Sequence, residues 1–274
     1  MTRSMLYVPG DRPAMLEKAA RRGADMLILD LEDAVPMSGK AEARAAVRAA
    51  IPSLREQGAR IGVRINSLAS ERNADLAAFG ESPPDAFMVA KATAAVIEEV
   101  AGTGSVAEVP LLALIESARG LLDVPEIAEH PRVAGLAVGE ADLGADIGMS
   151  AGGEDEAWTP SRARVVWAAA AAGLPGPIGP VYIDLKDLHG LRRSTERLRM
   201  LGFGGCSAVH PSQVGVINEV FTPTPLEVDE ARESVREYDA AVAAGRGVIL
   251  DSEGRLVDEA VVRRARQLVA DNPL

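Results

Sequence analysis

The stretch Met26-Leu27-Ile28-Leu29-Asp30-Leu31-Glu32-Asp33 joins a continuous apolar run to a cluster of carboxylates. An apolar run without polar alternation is typical of a parallel strand that is covered on both faces. In α/β proteins, polar side chains at the carboxyl end of such a strand stand where binding and catalytic sites are built. The stretch therefore predicts a buried parallel strand that delivers acidic groups to a site.

Seven further short runs resemble this one, and Ala-, Arg- and Glu-rich helical stretches separate them. They are Met5–Val8, Ile61–Ile65, Ala86–Ala90, Leu111–Ile115, Val133–Val138, Ile178–Ile183 and Ser207–Val209. Eight alternations of strand and helix predict a (β/α)8 TIM barrel. A doubly wound open sheet is the alternative, but the first strand runs into Val8-Pro9-Gly10-Asp11-Arg12-Pro13, which lacks the glycine fingerprint of a dinucleotide site.

The alternation ends near Pro223 and Pro225. We expect the barrel to span residues 1–222 and a C-terminal extension to span residues 223–274. The extension is predicted to be a helix-hairpin-helix segment: a helix over Leu226–Ala243, a hairpin over Gly245–Val257 with its turn at Ser252-Glu253-Gly254, and a final helix over Asp258–Ala270. This segment is appended to the barrel in the sequence, and no further β-α unit is predicted in it.

Composition narrows the class of protein. The formal net charge of −11 over 274 residues argues against broad nucleic-acid binding, which needs a basic surface. A single cysteine, Cys206, excludes an intrachain disulfide and suits a reducing compartment. No apolar run approaches the roughly 20 residues that a membrane-spanning helix needs, and the N-terminal residues lack the apolar stretch of a signal peptide. We therefore expect a soluble, cytoplasmic protein.

Charged residues follow nearly every predicted strand. They are Asp30, Glu32 and Asp33 after the second strand, Arg64, Lys91 and Glu116 after the next three, Glu140 and Asp142 after the sixth, and Asp184 and His210 near the last two. Crowded carboxylates are unfavourable unless a cation relieves them. Oxygen ligands suit a hard ion such as Mg²⁺, and the three histidines do not have the spacing of a zinc site.

Two basic strand-end residues allow alternative interpretations. Arg64 is expected to grip the carboxylate of a 2-oxo or 2-hydroxy acid in a two-pronged contact; the alternative is a salt bridge to a neighbouring aspartate. Lys91 either neutralises the carboxylate cluster, which we prefer, or acts as the Schiff-base lysine of an aldolase.

Several short motifs, in this order and spacing, resemble the citrate lyase beta-subunit-like family, whose superfamily also contains malyl-CoA and citramalyl-CoA lyases. They are residues 4–13 (SMLYVPGDRP), 23–25 (GAD), 29–36 (LDLEDAVP), Lys40, 63–66 (VRIN), 114–120 (LIESARG) and 209–213 (VHPSQ). The resemblance covers nearly the whole chain. It implies a (β/α)8 barrel, usually trimeric, that acts on a CoA or carrier-protein thioester.

The resemblance also implies a reaction. A Mg²⁺-dependent enzyme of this kind cleaves a 3-hydroxyacyl-CoA thioester, of the citramalyl-CoA or malyl-CoA type, into acetyl-CoA and a 2-oxo acid. By this resemblance Glu116 and Asp142 hold the metal directly, and Glu32 and Asp33 hold metal-bound waters. Arg64 is implied to bind the 2-oxo acid.

Further roles follow from the same resemblance. Arg12 and Lys18 are implied to meet CoA phosphates, although a solvated helix face is the plain alternative for Lys18. Asp258, within Gly254-Arg255-Leu256-Val257-Asp258, matches an acid/base residue that a neighbouring subunit supplies. Asp258 is also a plausible N-cap of the last helix.

One motif departs from the family pattern. The family commonly has Gly-x-Glu-Asp where this chain has Gly139-Glu140-Ala141-Asp142. We expect residues 139–141 to border the substrate. Because adjacent strand residues point in opposite directions, Glu140 is not expected to replace the displaced glutamate. Asp142 keeps its place.

Other functions remain open at this stage. The chain is alternatively a citryl-thioester lyase, the beta subunit of citrate lyase, acting on a carrier-protein thioester. It is alternatively a non-catalytic acyl-CoA-binding subunit of a larger complex. Malate synthase or thioesterase activity is a further possibility for the same site.

Overall fold

The computed structural model describes residues 2–149, 155–251 and 254–272. Eight parallel strands form a closed barrel in sequential order: β1 (Ser4–Pro9), β2 (Met26–Asp30), β3 (Ile61–Ile65), β4 (Ala86–Val89), β5 (Leu111–Ile115), β6 (Val133–Val138), β7 (Ile178–Gly179) and β8 (Gly205–Ala208). The last strand pairs with the first, Ser4 lying opposite Cys206. The predicted TIM barrel is therefore confirmed, and an open sheet is excluded.

Helices follow the strands on the outside of the barrel. They are α1 (Pro13–Leu16), α2 (Lys40–Glu56), α3 (Ala69–Ala78), α4 (Ala94–Ala101), α5 (Ala118–Glu129), α6 (Glu140–Ile147), α7 (Thr159–Ala171), α8 (Leu188–Leu201) and α9 (Pro211–Phe221). Short 3-10 turns lie at Ala19–Arg22, Met37–Gly39, Gly104–Val106 and Asp155–Trp158. None of the described helices is both long enough and apolar enough to cross a lipid bilayer.

Strand β2 shows how the alternation of side chains along a strand places an acidic group at the barrel mouth. Met26 and Ile28 belong to the small cluster that fills the barrel interior. Leu27 and Leu29 belong to the larger cluster between the strands and the helices. Because alternate strand residues point to opposite faces, Asp30 shares the inward direction of Met26 and Ile28. The strand therefore ends with a carboxylate inside the mouth.

Strand β7 is much shorter than the sequence predicts. The predicted run is Ile178–Ile183, but only Ile178 and Gly179 are in the ladder. Proline at position 180 has no N–H to donate, so the parallel ladder stops there. Pairing with β6 is limited to Ala137 and Ile178. Residues 180–187 consequently leave the barrel wall early, beside the end of β6.

The chain divides into two compact units, residues 2–221 and residues 222–274. In the second unit, α10 (Pro225–Ala243), the antiparallel strands β9 (Ile249–Leu250) and β10 (Leu256–Val257), and α11 (Glu259–Asp271) follow one another. Thr224 and Glu227 form a capping box at the start of α10. The predicted helix-hairpin-helix order is confirmed, while Ser252 and Glu253 of the predicted turn lie outside the described residues.

Candidate active site

A cavity of about 420 Å³ opens at the mouth of the barrel. Residues from the carboxyl ends of several strands line it: Tyr7, Pro9, Asp30, Asp33, Ala34, Arg64, Leu114, Glu116, Val138, Gly139, Glu140, Ala141, Asp142, Val181, Ser207 and Val209. This is the face where (β/α)8 enzymes place their chemistry. Most of the strand-end residues singled out from the sequence therefore share one cavity.

Arg64 is held by Asp30 on the adjacent strand. The two residues are register partners between β2 and β3. The guanidinium donates from Nε to Asp30 Oδ1 at 2.7 Å and from Nη2 to Asp30 Oδ2 at 2.6 Å. The salt bridge to an aspartate, considered as an alternative, is thus present. Asp30 occupies the edge of the guanidinium formed by Nε and Nη2, and the two-pronged contact with a substrate carboxylate stays a prediction.

The remaining nitrogen of Arg64 faces two more carboxylates. Nη1 lies 3.1 Å from Glu32 Oε2 and 3.6 Å from Asp33 Oδ2. The guanidinium also lies over the ring of Tyr7, 5.2 Å from its centroid, in a cation–π contact. Nη1, which lies near Glu32 and Asp33, is therefore the guanidinium nitrogen that Asp30 does not engage.

Glu32 is fixed from several sides. Its Oε1 accepts from Ser67 Oγ at 3.0 Å, and its Oε2 accepts from the main-chain N–H of Asp33 at 3.1 Å. The buried Lys40 donates from Nζ to the main-chain oxygens of Leu31 and Glu32, at 2.8 and 2.7 Å. Burial and the neighbouring Asp33 carboxyl raise the pKa of Glu32 above its usual value, while Arg64 and Ser67 lower it.

Glu116 follows β5 and is only 3% exposed. Its Oε1 accepts from the main-chain N–H of Lys91 at 2.8 Å. The pKa of Glu116 is raised to about 8 in all: burial is the largest cause and the carboxylates of Glu32 and Asp142 act in the same direction, while the Lys91 N–H and Arg64 oppose them. A buried carboxyl with two acidic neighbours favours the neutral form unless a cation arrives.

Lys91 contributes its backbone to this site. Its φ of 48° lies in the left-handed region, which is costly for a residue with a Cβ. The side chain is exposed and is absent from the cavity lining. It forms no salt bridge within the part of the chain that the structure describes, so the expected neutralisation of the carboxylates is wrong. The exposed position also gives no support to a Schiff-base lysine.

Gly139 allows Glu116 to occupy its position. A Cβ at residue 139 would lie 2.6 Å from Glu116 Oε2 and 2.7 Å from Glu116 Cβ. Both approaches are too close for any side chain, so only glycine fits beside this carboxylate. Asp142, in the first turn of α6, is half-buried and lines the same cavity.

Glu140 is the first residue of α6 and does not continue strand β6, so the strand alternation expected for it is wrong. Helical geometry turns its carboxylate toward α7, where Arg162 donates from Nε at 2.6 Å and from Nη2 at 2.9 Å. The Arg162 side chain is 3% exposed. Ala141 is exposed and lines the cavity, so at the position where the family pattern has glutamate this chain has a methyl group.

The donor set fits Mg²⁺. Neither Glu116 nor Asp142 has a lysine or arginine side-chain nitrogen within 4.0 Å among the described residues. Over the same residues, no group of three or more histidine, cysteine or acidic side chains is arranged to hold a metal. Mg²⁺ typically takes only one or two protein carboxylates and keeps several waters. Two acidic side chains facing one cavity are sufficient for that ion.

Four residues with a predicted role at the site lie outside the cavity lining: Glu32, described above, and Arg12, Lys18 and Asp258. Arg12 precedes α1 and its side chain is 67% exposed, with Nε 3.5 Å from Asp11 Oδ1. Lys18, between α1 and the following 3-10 turn, is exposed. Asp258 belongs to the C-terminal unit, where its Oδ1 accepts from the N–H groups of Ala260 and Val261 at 3.0 and 3.1 Å and caps α11.

Tyr7 and Ser67 were not identified as site residues from the sequence, and Asp30 was named only as a charged strand end without a role. The sequence pattern could have identified Asp30 and Tyr7. Asp30 lies on the same face of its strand as the interior residue Met26, and Tyr7 lies on the same face as the interior residue Met5. Ser67 gives no such signal, because its bond to Glu32 joins two different strand ends. Its role depends on tertiary contact.

The matching protein family is HpcH/HpaI aldolase/citrate lyase, over residues 3–211. A (3S)-malyl-CoA thioesterase of Cereibacter sphaeroides is 37% identical over 98% of this chain and 93% of its own length. An L-malyl-CoA/beta-methylmalyl-CoA lyase of the same species is 35% identical, over 97% of this chain and 93% of its own.

The solved structure of the protein CitE from Mycobacterium tuberculosis, in complex with magnesium, acetoacetate and coenzyme A, is similar over 98% of this chain and 97% of its own. The TM-score is 0.82 and the sequence identity is 30%. These likenesses confirm the resemblance inferred from the motifs. This chain belongs to the HpcH/HpaI aldolase/citrate lyase family.

Proposed function

We propose that this protein is a Mg²⁺-dependent carbon–carbon lyase. Its substrate is a 3-hydroxyacyl-CoA thioester of the malyl-CoA or citramalyl-CoA type, and its products are acetyl-CoA and a 2-oxo acid. The observation that carries the proposal is the buried Glu116 carboxyl, which faces the same cavity as Asp142 and has no cationic side chain beside it. The relatives named as malyl-CoA lyases, and the magnesium in the CitE complex, support this assignment.

The side chains at the mouth bind and orient the substrate. Glu116 and Asp142 would hold the metal, which when bound supplies Lewis-acid polarisation of the substrate oxygens. Glu32 and Asp33 are held beside Arg64 and would keep waters in place around that ion. Arg64 offers Nη1 to the carboxylate that becomes part of the 2-oxo acid. The buried fork with Asp30 keeps this nitrogen fixed.

Cleavage requires one proton to leave and one to arrive. The hydroxyl proton passes to a water at the mouth, the bond between the hydroxyl-bearing carbon and the α-carbon breaks, and its electrons pass to the thioester fragment. Asp258 of a neighbouring copy would deliver a proton to the α-carbon of that fragment. Its Oδ1 caps α11 in this chain.

Arg12 and Lys18 are exposed cations near the start of the chain and would meet the CoA phosphates. We also propose a cytoplasmic homotrimer, in which residues 223–274 cover the site of a neighbouring subunit. Sedimentation analysis of the full chain tests the trimer.

Thioester hydrolysis is the second candidate. A relative that matches 98% of this chain at 37% identity is named a (3S)-malyl-CoA thioesterase. The same cavity, metal ligands and arginine suit both reactions, because each begins from a bound malyl thioester. The products distinguish them: hydrolysis releases a hydroxy acid and free CoA thiol, whereas lyase cleavage releases a 2-oxo acid and leaves the thioester intact.

The decisive experiment incubates the purified protein and Mg²⁺ with malyl-, β-methylmalyl-, citramalyl- and citryl-CoA in turn. Free 2-oxo acid and free thiol are measured in parallel. We expect 2-oxo acid without an equivalent of thiol, and loss of the reaction on adding EDTA. Thiol with no 2-oxo acid would establish the thioesterase. Binding of these thioesters without turnover would overturn both and favour a non-catalytic subunit.

A further inference from the structure

The two proposed metal ligands belong to different kinds of element. Glu116 directly follows strand β5, whereas Asp142 lies in helix α6, which has only eight residues. A helix of this length is not stable in water by itself, so its neighbours must hold it in place. The distance between the two carboxylates therefore depends on the contacts that fix α6.

One face of α6 packs toward α7. Glu140 accepts two hydrogen bonds from the buried Arg162. Gly144, four residues later and so on the same face, lies close to the indole of Trp158: a Cβ at position 144 would be 3.2 Å from Trp158 Cη2. This face is held by an ion pair and by close packing.

The opposite face of α6 carries Asp142 and Asp146. At 3.6 residues per turn, positions two residues after Glu140 and Gly144 point to the other side of the helix. There Asp146 Oδ2 accepts a hydrogen bond from the main-chain N–H of Ala118 at 2.7 Å. The face that carries the proposed ligand is thus tied to the turn that follows β5.

The N–H of Ala118 needs an acceptor from outside its own helix. Ala118 is the first residue of α5, and the first N–H groups of a helix have no partner within it. The side chain of Ser117 accepts from Gly120 at 3.1 Å, and Asp146 serves Ala118. A carboxylate at this end of a helix is also favoured by the helix dipole.

A second hydrogen bond ties the start of α6 to the same turn. The N–H of Gly139 donates to the main-chain oxygen of Ile115 at 3.0 Å. Asp142 consequently lies between two tethers, one before it and one after it in the chain. Their partners, Ile115 and Ala118, lie on either side of Glu116 in the sequence. Together the two bonds restrict both the tilt and the rotation of α6 relative to Glu116.

We propose that Asp146 is a positioning residue for the metal pair. Its bond to the Ala118 N–H keeps the Asp142 carboxylate turned toward Glu116, so that one Mg²⁺ can reach both. Asp146 does not line the catalytic cavity and contacts neither metal nor substrate in this arrangement. The inference rests on the proposed lyase function, which requires that metal.

The test separates the hydrogen bond from the charge of Asp146. Asp146→Ala removes the acceptor, and Asp146→Leu does the same with a side chain of similar size. Asp146→Asn removes the charge but keeps an oxygen that can accept from Ala118. Glu129→Ala is the matched control: Glu129 is exposed on α5, and its carboxylate has no hydrogen-bond or salt-bridge partner within the described ranges.

Calorimetric titration of Mg²⁺ into each metal-free full-length protein is the first measurement. We expect Asp146→Ala and Asp146→Leu to bind Mg²⁺ about tenfold more weakly, the lower end of the effect of disturbing groups that orient a metal ligand. Asp146→Asn should stay within about threefold of the wild-type affinity, and Glu129→Ala should match it. Unchanged affinity in the alanine and leucine variants, or an equal loss in the asparagine variant, would overturn the inference.

Malyl-CoA cleavage at varied Mg²⁺ concentration is the second measurement. In Asp146→Ala the half-saturating Mg²⁺ concentration should rise by the same factor as the dissociation constant, while kcat at saturating Mg²⁺ stays within about twofold. A lower kcat with an unchanged Mg²⁺ requirement would contradict a positioning role. A wild-type protein that binds Mg²⁺ but cleaves no thioester would end the lyase proposal, and the calorimetric comparison would still decide the role of Asp146. A wild-type protein that binds no Mg²⁺ would overturn both.

Discussion

Carboxylates stand on both sides of the barrel mouth, but only those on the β2–β3 side have a cationic side chain beside them. On the β2–β3 side, Arg64 is paired with Asp30 and lies near Glu32 and Asp33. On the β5–β6 side, Glu116 has no cationic side chain within salt-bridge distance among the described residues. The difference shows that a carboxylate at a strand end does not by itself define a metal site. The position of one arginine decides which carboxylates are left for an added cation.

Removing Arg64 should produce the largest effect. Arg64→Met leaves buried Asp30 and Glu32 without their cation, which typically costs about 3–5 kcal/mol of unfolding free energy. Arg55→Met is the control, because its ion pair with Asp85 is largely exposed and such pairs contribute about 0–1 kcal/mol. Urea unfolding of the metal-free proteins measures both. Equal losses in the two variants would show that the β2–β3 side does not depend on this arginine.

Glu116, on the β5–β6 side, should make the stability of the protein depend on pH. The pKa of Glu116 is raised to about 8, so between its ordinary value near 4.5 and 8 the folded state binds more protons than the unfolded state. Stability of the metal-free protein therefore falls as pH rises through this window.

Thermal melting in EDTA between pH 5 and pH 9 measures the effect, and we expect a fall on the order of 5 °C. Glu116→Gln is the control, because it removes the titrating group and should flatten this part of the profile. A wild-type melting temperature that rose toward pH 9 would contradict the assigned direction of the Glu116 shift.

Gly139→Ala tests the fit of Glu116 against α6. The added methyl would lie 2.6 Å from Glu116 Oε2, so the carboxylate must move. We expect Mg²⁺ affinity to fall about tenfold, the lower end of the effect of disturbing groups that orient a metal ligand. Gly215→Ala is the control, because a Cβ there meets nothing within 4 Å. Calorimetric titration with Mg²⁺ compares the two variants. Equal Mg²⁺ affinities would show that Gly139 does not determine the position of Glu116.

The smallest effect is expected at Lys91. Only its main-chain N–H contacts Glu116, and asparagine tolerates the left-handed conformation. Lys91→Asn should therefore retain activity within about threefold, a loss below 1 kcal/mol. Abolished activity, or a borohydride-trapped adduct at Lys91 in the wild-type protein, would instead favour a Schiff-base mechanism.

The barrel was predictable because local signals agree with its architecture. Continuous apolar runs alternate with helical stretches, and each run places its polar residues at the same end. Strand β7 was misjudged because the apolar residues Val181 and Ile183 continue the pattern, while Pro180 ends the hydrogen bonding. The residues at the barrel mouth were therefore predictable, but the length of strand β7 was not.

Partner choice at the mouth could not be predicted. Asp30 takes the fork of Arg64 because β2 and β3 pair in that register, and Glu140 faces Arg162 because a helix starts one residue after Gly139. Lys91 was predicted to act through its charge, yet its N–H is the group in contact. Each of these contacts depends on tertiary register or backbone conformation, which spacing in the sequence does not specify.

We propose that an added cation binds on the β5–β6 side of the mouth. Calorimetric titration of Mg²⁺ into the wild-type protein, Glu116→Gln and Asp33→Asn tests it directly. We predict that Glu116→Gln weakens binding by more than about 100-fold, and that Asp33→Asn weakens it by about 10-fold, as expected for a direct ligand and for a group that holds a water. Binding that survives Glu116→Gln and is lost in Asp33→Asn would place the cation on the opposite side and contradict the account.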